Sequence, residues 1–372
     1  MRRAAVALLG LGLCVALVAV AAKAPTPHAR AFKTAKTSSR AGIAHFAHIF
    51  VIVEENHGFN DIIGNSHAPQ LNRLATEYGL ATRYYAVTHP SQPNYVALIG
   101  GYTFGIRDDD AFYCTPRSTR PRCSYSGIPG YVNHTIDAPN LATQLQAAHL
   151  SWKNYNESLP APGSLAIGAA DSRALEVSRG LQIYAAKHSG FLNFASVQHD
   201  PHRAEHIVGF DELHADLRSG RIPSFSFIIP NLCDDMHGAG LLILPDDCSD
   251  LHPADLIERG DRHAAAIVAE IMASAAWRGK DNSAIAITWD EDDGGSKASC
   301  CGTDSRDPAN AGGGHIATIV ISNHGPRHVA DATPYSHYSL LRSIEDAFGI
   351  HQHLERASAP GVVDMTPLFG NT

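Results

Sequence analysis

Charge is scarce in this chain of 372 residues, because Asp, Glu, Lys and Arg together make up only 18% of it. With 44% apolar residues, the chain is too apolar and too weakly charged to be disordered, and it lacks the periods of collagen or a coiled coil. Positive charge is the scarcer sign: 29 Lys and Arg face 37 Asp and Glu, for a formal net charge of −8. General nucleic-acid binding is therefore not expected, since it requires a basic surface that displaces phosphate counterions.

Long apolar runs are absent after residue 22. Before it, a positive start at Arg2 and Arg3 precedes an apolar run over residues 4–22 that ends in small residues. This is the layout of a secretory signal peptide, so we expect cleavage and a secreted or periplasmic location. The alternative is a membrane anchor, because the run approaches the roughly 18–20 residues of a spanning helix. Once the signal is removed, no membrane span is expected to remain.

C-x-x-C pairs are also absent, which weakens a zinc-site interpretation of the cysteines. Cys14 would leave with the signal, and the even number that remains in an exported chain favours disulfides. The local pairs Cys114–Cys123 and Cys233–Cys248 are favoured, although the sequence alone does not choose among the pairings.

Internal repeats are absent, and no linker interrupts the chain after residue 44. We expect a flexible leader over residues 23–44 and a single domain over 45–372, with insertions near 103–135 and 233–260. Apolar patterning predicts strands at 48–53, 151–155, 224–229, 284–289 and 316–322, and helices at 69–78, 141–150, 264–277 and 339–348. Buried strands alternating with helices predict an α/β fold, a three-layer α/β/α sandwich with a mostly parallel central sheet.

Acidic side chains follow three of the predicted strands. Glu54 and Glu55 follow the first, Asp234 and Asp235 follow the third, and residues 290–293 follow the fourth. The carboxyl ends of parallel strands meet at one edge of a sheet, and oxygen ligands converging there suit a divalent metal. Any one of these acidic turns is more typical of a solvated loop, as is the run at 108–110. Their occurrence at three strand ends favours a metal site.

Ser91 lies between Pro90 and Pro93, directly before an apolar run that predicts a helix. Proline is well tolerated at a helix start, so Ser91 is expected at a helix N-terminus, where free N–H groups favour an anion. Next to a metal, its hydroxyl can ionise and act as a nucleophile. The alternative is that Ser91 only caps the helix, a frequent role of serine.

Five stretches resemble motifs of the bacterial phosphoesterase family, a branch of the alkaline phosphatase superfamily that contains secreted acid phosphatases and phospholipases C. They occur in the family's order over roughly residues 45–350, at 52–56, 88–95, 230–237, 288–294 and 335–341. The stretch at 88–95, Thr-His-Pro-Ser-Gln-Pro-Asn-Tyr, is most similar to the exported acid phosphatases. The resemblance implies an alkaline phosphatase-like fold.

The resemblance also implies a metal site in which Ser91 is both ligand and nucleophile. The other implied ligands are Glu55, Asn56, Asp290 and Glu291. This all-oxygen set suits Mg, Ca or Mn better than zinc, which stays an alternative. Asn94 would donate to a phosphate oxygen.

A second group would lie on the other side of the phosphate, where it would bind a second metal or hold the phosphoryl group. Its implied members are Asp235, His237, Asp261 and His315. His237 and His315 would act in catalysis by protonating the leaving oxygen. Asp250 and His252 are rivals to Asp235 and His237. Most of the other histidines are expected at the surface or in the core, among them His45, His67, His149, His188, His214 and His263.

The sequence thus predicts an exported, metal-dependent phosphatase that hydrolyses phosphate monoesters through a phosphoserine at Ser91. One alternative is a phospholipase C or phosphodiesterase at the same site, and the other is a non-enzymatic exported binding protein. The expected partner is a small phosphorylated substrate. The sequence does not fix which substrate, nor the oligomeric state.

Overall fold

In the described part of the chain, the strands form a nine-stranded sheet and a separate two-stranded one. The computed structural model describes residues 42–109, 134–169, 183–239 and 246–371, and these lie in one compact unit, Phe32–Thr372. The strands are β1 His48–Glu54, β2 Gly79–Tyr85, β3 Trp152–Asn156, β4 Gly168–Ala169, β5 Tyr184–Ala185, β6 Ile207–Val208, β7 Phe225–Ile229, β8 Ser283–Trp289, β9 His315–Ser322, β10 Val329–Asp331 and β11 Tyr335–Ser336.

The large sheet has the order β10-β2-β9-β8-β1-β7-β3-β6, and β11 pairs with β2. Every pairing in it is parallel except those of β9, which runs antiparallel to both β2 and β8. The carboxyl ends of β8, β1 and β7 therefore meet at one edge. Because β9 is reversed, it begins at this same edge, where His315 lies opposite Tyr85.

The helices are α1 Phe59–Ile62, α2 Pro69–Glu77, α3 Ser91–Gly100, α4 Leu141–Ala147, α5 Ala195–Gln198, α6 Arg203–His206, α7 Phe210–Ser219, α8 Pro253–Ala273, α9 Ala275–Arg278, α10 His337–Ala347 and α11 Thr366–Phe369. Helices α2 and α8 pack against each other, and so do α3 and α10. The expected α/β fold around a mostly parallel sheet is confirmed.

The central strands are buried on both faces, as their nearly continuous apolar sequences require. Every residue of β7 and β8, and all of β1 except His48, is buried. Each buried Val, Ile or Phe contributes about 1.5–3 kcal/mol relative to an exposed one, so these strands form the stable platform for the loops at their ends.

All five predicted strands and all four predicted helices are present with small shifts at their ends. The exception is the helix predicted at 264–277, which begins at Pro253, inside the stretch expected to be an insertion, and is interrupted at Ser274, after which α9 begins. The longest strand missing from the prediction is β2, whose sequence GLATRYY exposes Arg83 and has no continuous apolar run; the short strands β4, β5, β6, β10 and β11 are missing from it as well.

Two disulfides are present in the described part of the chain, Cys233–Cys248 and Cys300–Cys301. The first confirms a predicted pair, whereas the predicted pair Cys114–Cys123 lies outside the described residues, as does the predicted signal. Among the described residues, no helix combines the length and the apolar character needed to cross a bilayer.

Candidate active site

Ser91 is the first residue of α3, at the edge of the sheet where β1 and β8 end. Its Oγ lies 3.1 Å from Glu55 Oε2 and 3.1 Å from Glu291 Oε1. The N-cap position of the helix belongs to Pro90, and the hydrogen bonds of the Ser91 hydroxyl to described residues go to these carboxylates. The geometry thus disfavours the capping alternative and places the hydroxyl between two carboxylates.

The chain turns sharply after β1 so that Glu55 and Asp290 face each other. Asn56 has a positive φ of 62°, a conformation that asparagine tolerates better than most residues, and its N–H donates to Asp290 Oδ1 at 3.1 Å. The Asp290 N–H in turn donates to the Glu54 carbonyl at 3.1 Å. These bonds hold Glu55, Asp290 and Glu291 together, and we call these three the Ser91 cluster.

Burial shifts the pKa values of the Ser91 cluster. Desolvation, followed by repulsion from Glu55, raises the pKa of Asp290 well above its usual range. Desolvation also raises the pKa of Glu291. Burial acts on Glu55 in the same direction, but the adjacent His188 outweighs it and lowers the pKa of that carboxyl. Three acidic groups packed this closely therefore require added positive charge before all of them can ionise.

The cluster fits a divalent cation. Asp290 Oδ2 is fully buried and accepts no hydrogen bond from any residue that the structure describes. The ion pairs of Glu55 and Glu291 within the described ranges are with imidazoles and not with Lys or Arg. An unpaired buried carboxylate oxygen costs free energy unless a cation or a proton satisfies it. Carboxylate and hydroxyl oxygens are donors that Mg²⁺, Ca²⁺ and Mn²⁺ accept.

Two histidines flank the Ser91 cluster, and neither was among the predicted site residues. His188 Nε2 lies 3.0 Å from Glu55 Oε1, and its Nδ1 lies 3.5 Å from Asp235 Oδ2. Burial would lower the pKa of His188, but the attraction of Glu55 outweighs it and raises the pKa to about 9. His188 is thus a core residue, one of the two places expected for it, and its ring contacts both Glu55 and Asp235.

His89, two residues before Ser91, approaches the other side of the cluster. Its Nδ1 lies 2.5 Å from Glu291 Oε2, and its Nε2 lies 3.0 Å from the Ser296 carbonyl. The sequence offered a signal for His89, because it belongs to the motif at 88–95. It offered none for His188, which lies on a short 3-10 turn, Ala186–His188, outside every motif.

His337 contacts the backbone of the Ser91 cluster. The ring is fully buried, its Nε2 lies 2.7 Å from the Asp290 carbonyl, and its Nδ1 lies 3.2 Å from the Tyr84 hydroxyl. Burial lowers the pKa of His337 to about 4, so the ring is neutral at physiological pH. The neutral ring can donate through Nε2 to the carbonyl and accept from the tyrosine through Nδ1.

Of the second predicted group, the structure brings Asp235 and His237 to the site. The Asp235 carbonyl accepts from the Glu55 N–H at 2.7 Å, and its carboxylate accepts from the His237 N–H at 2.8 Å. The His237 ring lies 5.9 Å from the His188 ring and bonds through Nδ1 to the Gly238 carbonyl. Nε2 is therefore the ring nitrogen available to a substrate.

The structure does not bring Asp261 into this group. Its carboxylate accepts from the N–H groups of Gln70 and Leu71, at 3.1 and 2.7 Å, and so caps the start of α2. His315 lies at the same edge of the sheet, but its Nε2 bonds to the Thr82 carbonyl at 3.0 Å and its ring stacks on Phe59. Both residues are thus engaged in packing the neighbouring elements.

Asn94 is also engaged within the protein. Its Nδ2 donates to the carbonyls of Thr88 and Pro90, and its Oδ1 accepts from the N–H groups of Val87 and Thr88. Both amide hydrogens are therefore used to hold the loop that carries Ser91. The structure shows Asn94 positioning that loop, and its contact with phosphate stays a prediction.

A second acidic cluster lies beside the first. Ligand atoms of Glu157, Asp234 and His263 lie within 4.8 Å of one another, a spacing that a metal ion also accepts. Here, however, Arg259 already contacts Asp234 through two nitrogens, Nε at 2.7 Å and Nη2 at 3.2 Å. We call these residues, with Arg259, the Arg259 cluster.

A sequence profile of the phosphoesterase family matches residues 65–351. A phosphatidylinositol-3-phosphatase of Mycobacterium tuberculosis is 29% identical over 86% of this chain and 83% of its own length. An acid phosphatase of Aspergillus fumigatus is 24% identical over 83% of this chain and 56% of its own length, so the chain spans little more than half of that relative.

Among solved structures, a Bacteroides thetaiotaomicron protein designated BT33336S-sulf, from a locus for the metabolism of multiple glycosaminoglycans, superposes with a TM-score of 0.50. The two chains are 11% identical, and the superposition covers 88% of this chain and 82% of the other. The likeness is one of fold alone. The family profile spans most of the chain and contains four of the five motifs. The chain belongs to the phosphoesterase family and is a hydrolase of phosphoric ester bonds.

Proposed function

We propose that the protein is a metal-dependent phosphomonoesterase that works through a phosphoserine at Ser91. One observation carries the proposal: the Ser91 hydroxyl lies 3.1 Å from carboxylates of Glu55 and Glu291, inside a cluster of acids that fits a cation. The names of the relatives, an acid phosphatase and a phosphatidylinositol-3-phosphatase, support a monoester substrate. A binding protein without activity would have no need of this arrangement around a hydroxyl.

Glu55, Asp290, Glu291 and Ser91, with Asn56 beside them, would hold the ion. A divalent cation bound there supplies positive charge that favours the alkoxide form of Ser91. The hydroxyl proton has acceptors in the two carboxylates at 3.1 Å. His89 fixes Glu291, and His337 fixes the backbone of Asp290, so the oxygen atoms that meet Ser91 stay in place.

In the first step, Ser91 Oγ attacks phosphorus, and the bond from phosphorus to the ester oxygen breaks. His237, whose Nδ1 bonds to the Gly238 carbonyl and whose Nε2 is left for a substrate, would deliver a proton to the leaving oxygen. Water then attacks the phosphoserine, releases inorganic phosphate and restores the Ser91 hydroxyl. Two in-line displacements retain the configuration at phosphorus.

The test is a substrate panel with three proteins: wild type, Ser91→Ala, and Ser358→Ala as a control at an exposed serine. We expect wild type and Ser358→Ala to hydrolyse p-nitrophenyl phosphate and a phosphoinositide monophosphate, and Ser91→Ala to lose turnover while remaining folded. Acid-quenched wild type should carry one phosphoryl group on the peptide that contains Ser91. Undiminished turnover in Ser91→Ala would refute the mechanism. Faster hydrolysis of bis-p-nitrophenyl phosphate or phosphatidylcholine would support the diesterase or phospholipase C alternative.

We also infer that the protein acts outside the cytoplasm, secreted or in a periplasm. The two disulfides support this location, because disulfides persist in oxidising compartments. Fractionation of cells that express the full chain tests the inference, since a reduced protein confined to the cytoplasm would contradict it.

A further inference from the structure

Lys187 lies beside the Ser91 cluster and has no part in the two displacement steps proposed above. Lys187 Nζ lies 2.7 Å from Asp109 Oδ2 in an ion pair whose side chains are 22% and 32% exposed. Lys187 directly precedes His188, which contacts Glu55. Burial would lower the pKa of Lys187, but the attraction of Asp109 and then of Glu55 outweighs it and raises the pKa, so the side chain stays charged.

The carboxylate that pairs with Lys187 also occupies the start of the helix that carries the nucleophile. Asp109 Oδ1 accepts from the N–H of Gln92 at 3.0 Å. Gln92 is the residue after Ser91, and Pro93 after it has no N–H. An anion that reaches Ser91 therefore meets few backbone donors, and one of them already holds an internal carboxylate.

Asp109 is held in this place by its neighbours. Asp108 Oδ1 lies 2.5 Å from Nε2 of the buried His134, which anchors the chain directly before Asp109. The acidic run at 108–110 was expected to be a solvated loop, whereas its first two residues bond to groups at and near the site. With a third of its side chain exposed, Asp109 can turn outward into water when another anion takes its contacts.

We propose that Lys187 binds a non-bridging oxygen of the substrate's phosphoryl group, and that Asp109 is an internal anion which the phosphate displaces. This rests on the proposed function, since it concerns the same phosphoryl group. A monoester carries up to two negative charges on its phosphoryl oxygens and a diester carries one. A lysine at this position, added to the charge at the Ser91 cluster, therefore selects monoesters over diesters.

The test measures the binding of inorganic phosphate by calorimetry in the Ser91→Ala protein with Mg²⁺ present, so that no turnover is needed. Three further substitutions are made in that background: Lys187→Met, Asp109→Asn, and Lys280→Met as a control at an exposed lysine. Lys187→Met should raise the Kd for phosphate about 10- to 100-fold, because a charged hydrogen bond is lost. Asp109→Asn should lower it severalfold, because the internal competitor loses its charge, and Lys280→Met should leave it unchanged.

A weaker binding of phosphate in Asp109→Asn would overturn the displacement, because Asp109 would then only brace α3. An unchanged Kd in Lys187→Met would overturn the contact with phosphate. In the otherwise wild-type protein, which retains Ser91, Lys187→Met should also reduce the ratio of kcat/KM for p-nitrophenyl phosphate to kcat/KM for bis-p-nitrophenyl phosphate. Failure of the proposed function would be seen as turnover that persists in Ser91→Ala. The binding of phosphate is measured without turnover, so that failure would not affect its interpretation.

Discussion

Two acidic clusters lie side by side at one edge of the sheet, and they meet the cost of buried charge in different ways. In the Arg259 cluster, the guanidinium grips both oxygens of Asp234, and the Asn231 N–H donates to Glu157 at 3.0 Å. In the Ser91 cluster, the ion pairs within the described part of the chain are with imidazoles, Lys187 acts on Glu55 only from beyond ion-pair distance, and Asp290 Oδ2 accepts no hydrogen bond from a described residue. The Arg259 cluster thus contains an arginine that balances its carboxylates, whereas the Ser91 cluster has less positive charge than its three carboxylates require.

The difference distinguishes a structural ion-pair network from a binding site. A permanent cation such as arginine stabilises a carboxylate but also blocks the approach of a metal ion. Carboxylates left short of positive charge are destabilising until a ligand binds, and catalytic sites carry this kind of cost. Proximity of acidic groups alone would assign a metal to the Arg259 cluster, whereas the partners of those groups assign it to the Ser91 cluster.

The largest expected effect is on activity, in Glu55→Gln. The substitution keeps the shape of the side chain but removes a charge beside Ser91, so kcat/KM for p-nitrophenyl phosphate should fall about 100- to 1,000-fold. Glu54→Gln is the matched control, because Glu54 is equally buried and burial raises its pKa well above the usual range, which disfavours its charged form. Equal losses of kcat/KM in the two variants would show that the carboxylate of Glu55 has no special role beside Ser91.

A lone buried carboxyl elsewhere shows a third solution, a bound proton. Burial raises the pKa of Glu345 to about 8, and its Oε1 accepts from the Leu354 N–H at 2.8 Å. Between the unfolded pKa and pH 8 the folded state holds a proton that the unfolded state has released, so stability falls as pH rises through this window.

Glu345→Gln should therefore be stabilised relative to wild type at pH 8 by on the order of 3 kcal/mol, and by much less at pH 5. Urea unfolding at both pH values measures the difference, with Glu355→Gln as the control at an exposed position. The same gain at both pH values would show that a bound proton is not how Glu345 is accommodated.

The sequence predicted most of the platform because apolar runs report burial directly. Residues 48–53 and 284–289 are nearly continuous apolar runs, broken only by His48 and Thr288, and each is a central strand. It did not predict that β9 is antiparallel, since the alternation of buried residues is the same in either direction. Yet this reversal brings His315 to the edge where the other strands end.

The site was predictable only where its residues belong to local patterns. Ser91, Glu55 and the pair Asp290–Glu291 stand at strand or helix ends, and the structure brings them together. His188 and Lys187 reach the site through a loop with no pattern of its own. Asp261 was assigned by resemblance, whereas the start of α2 is its partner in space. Contacts of this kind are set by tertiary packing, which composition and spacing do not encode.

Metal binding should separate the two clusters thermodynamically. A cation that binds only the folded protein at about 100 times its Kd should raise the free energy of unfolding by about 2.7 kcal/mol. We expect this gain with Mg²⁺, Mn²⁺ or Ca²⁺ after removal of metal by a chelator. The gain should vanish in Asp290→Asn and persist in His263→Gln.

Metal analysis of the same variants gives an independent readout. Loss of one bound equivalent in His263→Gln would show that the Arg259 cluster also binds metal and would break the comparison. Zinc in place of the harder cations would keep the comparison but change the identity of the ion.

The smallest expected effect is on stability, in Arg259→Gln. Removing the guanidinium leaves the nearly buried Asp234 with Asn231 and, at 3.8 Å, His263, so the free energy of unfolding should fall by about 2 kcal/mol. Arg262→Gln on the same helix is the matched control, because its pair with Glu258 is exposed and contributes about 0.5 kcal/mol or less.

Activity should change little in either variant, since neither arginine contacts the Ser91 cluster within the described residues. A loss of activity in Arg259→Gln without a loss of stability would mean that the second cluster takes part in the chemistry. An unchanged stability would mean that the arginine is not what allows its acidic neighbours to be buried.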